Sequence, residues 1–121
     1  MKVLIVDDEA DIRRIGELSL QGVGGWDVLL AASGAEGVEA AQAHRPDLIL
    51  MDMMMPEMDG LAALLELRRL PQTACTPVIF MTAKVQRDEV AHYLEAGAAG
   101  VVHKPFDPMT LPDEIRTILN G

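Results

Sequence analysis

The sequence predicts an α/β fold, a five-stranded parallel sheet built as (βα)5 and covered by helices on both faces. Two observations carry this prediction. Five short apolar runs alternate with segments of helical period, the pattern of successive βα units. The runs are apolar throughout instead of alternating with polar residues, as expected of strands buried on both faces.

In chain order, residues 3–6, 28–31, 48–51, 78–81 and 99–102 are the predicted strands. After the first, Ile12, Ile15 and Leu18 mark a helix. Ser33 followed by Glu36 reads as a capping box, opening a second helix that runs through His44. Leu61, Leu64 and Leu65 mark the third, and Val90, Ala91 and Leu94 the fourth, which Gly97 can end. Leu111, Ile115, Ile118 and Leu119 mark the last, closed by Asn120 and Gly121. Its start is unusual. Asp107-Pro108 looks like an opening, but Pro112 removes an amide from the first turn of a helix begun there, so Thr110 with Asp113 is the expected start.

With 121 residues, half of them apolar, the chain can bury a core of its own, and residues 1–121 are expected to form one domain. No run approaches the roughly 20 apolar residues that span a bilayer. Residues 1–6 lack the features of a signal peptide, so a cytoplasmic protein with no membrane association is expected. Ten basic against nineteen acidic side chains give a formal charge of -9, which repels nucleic acid and anionic lipid. Direct nucleic-acid binding by this chain is therefore not expected, whereas cations and basic partner surfaces are favoured. The single Cys75 reads as a loop thiol.

Ligands of an open parallel sheet bind beyond the carboxyl ends of its strands. Here the first strand is followed by Asp7-Asp8, the third by Asp52, the fourth by Thr82, and Lys104 lies just past the fifth. Any one of these has an ordinary explanation as a cap, a turn residue or a solvated charge. Together they place three carboxylates, a hydroxyl and an ammonium on one rim.

Like charges raise each other's pKa, so such a cluster makes sense when a cation neutralises it. Mg2+ fits best, since it prefers oxygen ligands and typically takes one or two carboxylates plus a phosphate. His44, His92 and His103 are scattered, which disfavours zinc. With the charge offset, an Asp52 carboxylate can attack phosphorus in line while Lys104 balances the equatorial oxygens. Thr82 can donate a hydrogen bond to the phosphoryl group, and the small Ala83 leaves room for contact with the backbone amide.

Five stretches carry a resemblance that extends over the whole chain: Val3-Leu4-Ile5-Val6-Asp7-Asp8-Glu9, Pro46-Asp47-Leu48-Ile49-Leu50-Met51-Asp52, Met55-Pro56-Glu57-Met58-Asp59-Gly60, Pro77-Val78-Ile79-Phe80-Met81-Thr82-Ala83 and Lys104-Pro105-Phe106. In this order and spacing the sequence resembles the response-regulator receiver domains. The resemblance implies a doubly wound, flavodoxin-like sheet of strand order 2-1-3-4-5. It implies that a sensor histidine kinase or phosphotransfer protein donates a phosphoryl group to Asp52, making an aspartyl phosphate. It also implies Mg2+ bound by Asp8, Asp52 and the backbone carbonyl of Met54, with Asp7 acting mainly through water. Thr82 and Lys104 would hold the phosphoryl group, and Lys104-Pro105 would be a cis peptide.

One position departs from the family pattern. Three residues before Lys104, receivers commonly carry Tyr or Phe, and this chain has Val101. A threonine–aromatic switch of the usual form cannot operate there. Thr82 and residues 83–88 are still expected to reorganise and to signal through the fourth helix, fifth strand and fifth helix. Met54 and Lys84, at the mouth of the site, are expected to tune loss of the phosphoryl group.

A phosphate-ester hydrolase is the weaker reading, because its usual Asp-x-Asp after the first strand is replaced by Asp7-Asp8. A flavin or nucleotide module is weaker again, because the loop after that strand is acidic and not rich in Gly, Ser or Thr. The remaining alternative is a degenerate receiver that serves as a phosphorylation-independent docking module. Phosphorylation-linked dimerisation through the helix four to helix five face is compatible with the main reading, and the output partner is not specified by sequence.

Overall fold

A computed structural model describes residues 1–121. The strands are β1 (Lys2–Val6), β2 (Asp27–Ala31), β3 (Leu48–Asp52), β4 (Val78–Thr82) and β5 (Gly100–His103). Between and after them run α1 (Ala10–Leu18), α2 (Gly34–His44), α3 (Gly60–Arg69), α4 (Arg87–Glu95) and α5 (Leu111–Asn120). All four strand pairings are parallel and the order is β2-β1-β3-β4-β5, as expected. No helix is long and apolar enough to cross a membrane.

Alternation of side chains along the strands divides the core into two layers. Leu4, Val6, Ile49, Met51 and Phe80 face one way and pack with Ala41, Leu64, Leu67 and Tyr93, so α2, α3 and α4 cover that face. Val3, Ile5, Leu48, Leu50 and Ile79 face the other way, onto Leu111 and Ile115 of α5 and Ile12 of α1. Each fully buried aliphatic side chain contributes about 1.5–3 kcal/mol. Two complete layers therefore account for a stable sheet without a disulfide, and Cys75 is exposed and free.

The expected cap of α2 forms, and α3 is capped as well. The Ser33 hydroxyl accepts a hydrogen bond from the Glu36 amide at 3.1 Å, and the Asp59 carboxylate accepts one from the Ala62 amide at 2.8 Å. The last helix does begin after Thr110, with Pro112 in its first turn, where no amide is needed.

Three helices present different faces from those their apolar residues suggest. On α1, Ile15 and Leu18 are 40% and 57% exposed, and Gly16 faces the sheet instead. A Cβ at Gly16 would lie 2.9 Å from the Ile5 side chain, so α1 rides against β1 on its least bulky residue. The chain then widens into a π-helical turn, Ser19–Val23, which brings Leu20 into the core. On α3 Leu65 is exposed, and on α4 Ala91 and Leu94 are exposed while Tyr93 is buried. Strand ends differ by a residue. Asp52 pairs with Met81 and Thr82 with His103 within the ladders, so both close their strands from inside instead of following them.

Candidate functional site

The carboxyl ends of β1, β3, β4 and β5 bring together the residues the sequence singled out. Asp7 follows β1 directly and is fully buried; its Oδ1 accepts the Glu9 amide at 2.8 Å and its Oδ2 accepts the Lys104 ammonium at 2.7 Å. Lys104, just past β5, also lies 3.2 Å from Asp52 Oδ1 and 3.9 Å from Glu9 Oε1. Its backbone is held by β4, the Lys104 amide donating to the Thr82 carbonyl at 2.9 Å. The Lys104–Pro105 peptide is cis, as the resemblance implied.

Asp52 is 3% exposed at the end of β3, where its Oδ1 also accepts the Met54 amide at 3.3 Å. The bend after it depends on a close approach. A Cβ on Gly60 would lie 2.8 Å from the Asp52 carbonyl oxygen and 3.0 Å from the Phe80 ring, so only glycine lets α3 begin this near the strand end. Thr82 is buried, and its hydroxyl accepts the Lys84 amide at 3.0 Å. Ala83 and Asp8 are exposed at the rim.

The electrostatics match the crowding. Burial raises the Asp52 carboxyl from its ordinary 3.8 to about 6; the Asp7 charge adds to this, while the charge and hydrogen bond of Lys104 and the Met54 amide oppose it. For Lys104, burial disfavours the ammonium, but its hydrogen bond and ion pair with Asp7 and its contacts with Asp52 outweigh burial and raise its pKa.

Asp7, Asp8 and Asp52 each offer a carboxylate oxygen, and these oxygens lie within 4.8 Å of one another. Lys104 only partly offsets burial and the Asp7 charge, which is why Asp52 resists ionisation. The set is all oxygen and includes an exposed member open to water, so it fits a hard divalent cation that keeps part of its hydration. A cleft of about 420 Å³ adjoins the rim, bounded by Met53, Met54 and Leu61 on one side and by Lys84, Glu89 and Tyr93 on the other.

Sequence reasoning gave no role to two neighbours of this rim. Glu9 approaches Lys104, and its place directly after Asp7-Asp8 was the available signal. Tyr93 lies on α4 beneath β4, eleven residues beyond Thr82, and no spacing rule marks it.

A family model described as the response regulator receiver domain matches residues 3–116. The chain is 39% identical over 118 residues to the probable transcriptional regulator ycf27 of Porphyridium aerugineum, covering 98% of this chain and 48% of that protein. It is 35% identical over 118 residues to the alkaline phosphatase synthesis transcriptional regulatory protein PhoP of Bacillus subtilis, with the same shares covered. The chain thus spans about half the length of the curated relatives it matches. Among solved structures, the chemotaxis protein CheY4 of Vibrio cholerae superposes with a TM-score of 0.90 at 34% identity, covering 97% of each chain. Sequence, strand order and the placement of the rim agree, and the chain belongs to the response-regulator receiver domains of two-component systems.

Proposed function

We propose that this domain accepts a phosphoryl group on Asp52 and passes the resulting change of shape to an output protein or domain. The observation that carries the reading is the pairing of a buried carboxylate, its pKa pushed up to about 6, with a partly buried ammonium 3.2 Å away at a strand end. A carboxylate so placed is desolvated, aimed and adjacent to positive charge, as an acceptor for phosphoryl transfer needs to be.

The donor in this reading is a phosphohistidine on a sensor histidine kinase or phosphotransfer protein. An Asp52 oxygen forms the new bond to phosphorus as the phosphorus–nitrogen bond of the donor breaks, and the imidazole leaves with the bonding pair and takes up a proton. Lys104 offsets charge on the transferred oxygens, and the Thr82 hydroxyl and the Ala83 amide hydrogen-bond to the group once it is bound. Asp8, Asp52 and the Met54 carbonyl would hold Mg2+, with Asp7 acting through water, and the ion would supply the remaining positive charge. The domain is then a phosphoacceptor regulator and not an enzyme with turnover on a separate substrate.

Signalling proceeds through α4, β5 and α5, because the loop 83–86 that follows Thr82 is exposed and leads directly into α4. The acidic charge of -9 keeps this chain off nucleic acid, so any transcriptional role resembling that of the relatives falls to the output protein or domain. A cytoplasmic site of action, where such kinases present their phosphohistidine, fits this scheme, and so does a dimer formed on phosphorylation.

Intact-mass spectrometry after incubation with acetyl phosphate, with and without Mg2+, tests the proposal. One phosphoryl group should be gained, only with Mg2+, and the gain should vanish in Asp52→Asn. Absence of any gain, from acetyl phosphate and from a phosphorylated kinase alike, would leave the docking-module alternative standing.

A further inference from the structure

Tyr93 is the chain's single tyrosine and is 7% exposed beneath α4. Its ring meets Phe80 edge-on, with centroids 5.5 Å apart and planes at 70°. Phe80 and Thr82 are two residues apart on β4 and so point to the same face of the sheet. Val101 sits opposite Phe80 on β5 and packs partly buried in the same layer. A valine is too short to cover Phe80 and reach Thr82. The aromatic ring at this place therefore comes from α4.

The phenol has two polar neighbours. Burial raises its pKa, the charges of Glu89 and Asp59 add to that, and hydrogen bonding from the Thr82 hydroxyl pulls it back. Glu89 precedes Tyr93 by four residues, one helical turn, which puts both side chains on one face of α4. Glu89 Oε2 is buried without a hydrogen-bond partner, and Glu89 and Tyr93 border the same cleft beside the rim. An unpartnered buried carboxylate oxygen costs free energy and is an open acceptor.

We propose that Tyr93 is the positioning residue that couples Thr82 to α4, its phenol exchanging the Thr82 hydroxyl for Glu89 when Asp52 is phosphorylated. In the free domain the ring packs edge-on against Phe80, whose side chain shares a face of β4 with Thr82. A phosphoryl group on Asp52 draws the Thr82 hydroxyl away, and the phenol then donates to the unsatisfied Glu89 oxygen. The exchange moves a ring packed on Phe80 and so shifts α4 relative to β4. This inference rests on the acceptor reading of Asp52 and assigns the route by which that site reaches its output face.

Because the chain has one tyrosine, biosynthetic 3-fluorotyrosine yields one fluorine resonance, which is read beside the intact mass in the same sample. With acetyl phosphate and Mg2+, the parent should gain one phosphoryl group and its resonance should move. Glu89→Ala should gain the same mass while its resonance stops short of the parent's shifted position. Tyr93→Phe should also be phosphorylated, with amide shifts across residues 87–95 reduced from those of the parent. A mass gain with an unmoved resonance, or the full parent shift in Glu89→Ala, would overturn the coupling and leave the acceptor reading intact. No mass gain in the parent, from acetyl phosphate and from a phosphorylated kinase alike, would overturn both.

Discussion

The two sides of the acidic rim are built differently. On the β1–β3 side, Asp7 and Asp52 are buried, both are held by Lys104, and each accepts a backbone amide besides. On the β4–α4 side, Thr82 is buried, but residues 83–88 after it are exposed, and Tyr93 is the one buried side chain of α4. The first side is preorganised; the second is held by few contacts and includes an unsatisfied carboxylate oxygen. Chemistry needs fixed geometry, whereas a response needs a segment that two packings can share at similar free energy.

Four substitutions would break or sharpen this contrast. The largest effect is expected from Lys104→Met, which leaves Asp7 buried without its ion pair and removes the one ammonium beside Asp52. Metal-free stability should fall by about 3 kcal/mol, read as a lower urea midpoint at unchanged slope. A loss below about 1 kcal/mol would show that this side is not set by the pair.

Asp52→Asn is expected to act in the opposite direction. A folded pKa raised from 3.8 to about 6 means that the native state holds a proton the unfolded chain has already released. The ionised carboxylate therefore destabilises the fold fully above about pH 6 and not at all below 3.8. The asparagine variant should be more stable than the parent by about 3 kcal/mol at neutral pH without metal, and this advantage should shrink as the pH falls through that window. Mg2+ should stabilise the parent by about 2.7 kcal/mol at a hundredfold excess over its Kd, and the variant by much less. Thermal melts over a pH series, with and without Mg2+, check both parts.

Met54 is 63% exposed at the mouth of the cleft, and on the acceptor reading proposed above its bulk would hinder a water molecule approaching an aspartyl phosphate. Met54→Asn should shorten the phosphoryl half-life several-fold, a barrier change of about 1 kcal/mol, followed by intact mass over time. The smallest effect belongs to Leu94→Ala on the exposed face of α4, which should stay within about 0.5 kcal/mol of the parent. A loss of 2 kcal/mol or more, as for a core leucine, would mean that α4 packs on the sheet by Leu94 as well as by Tyr93.

The rim was legible in the sequence because each of its members lies at the end of an apolar run, so strand spacing alone located Asp7, Asp8, Asp52, Thr82 and Lys104. Strands buried on both faces leave little ambiguity, since every residue is covered whichever way the pleat turns. The short helices were less legible. Ile15, Leu18 and Leu94 are as apolar as any core residue, yet α1 turns Gly16 inward and α4 turns Tyr93 inward.

By itself, the sequence determined the order of elements, the cap at Ser33, the start of the last helix after Thr110, and the set of charges on the rim, because these depend on local spacing and residue chemistry. Only the tertiary structure decided which helix faces meet the sheet, that Lys104 holds Asp7 more closely than Asp52, and that Tyr93 stands between Phe80 and the cleft. Those outcomes depend on steric fit between segments far apart in the chain. A glycine against Ile5 and a valine opposite Phe80 set the available space, and neither constraint is visible until the strands lie side by side.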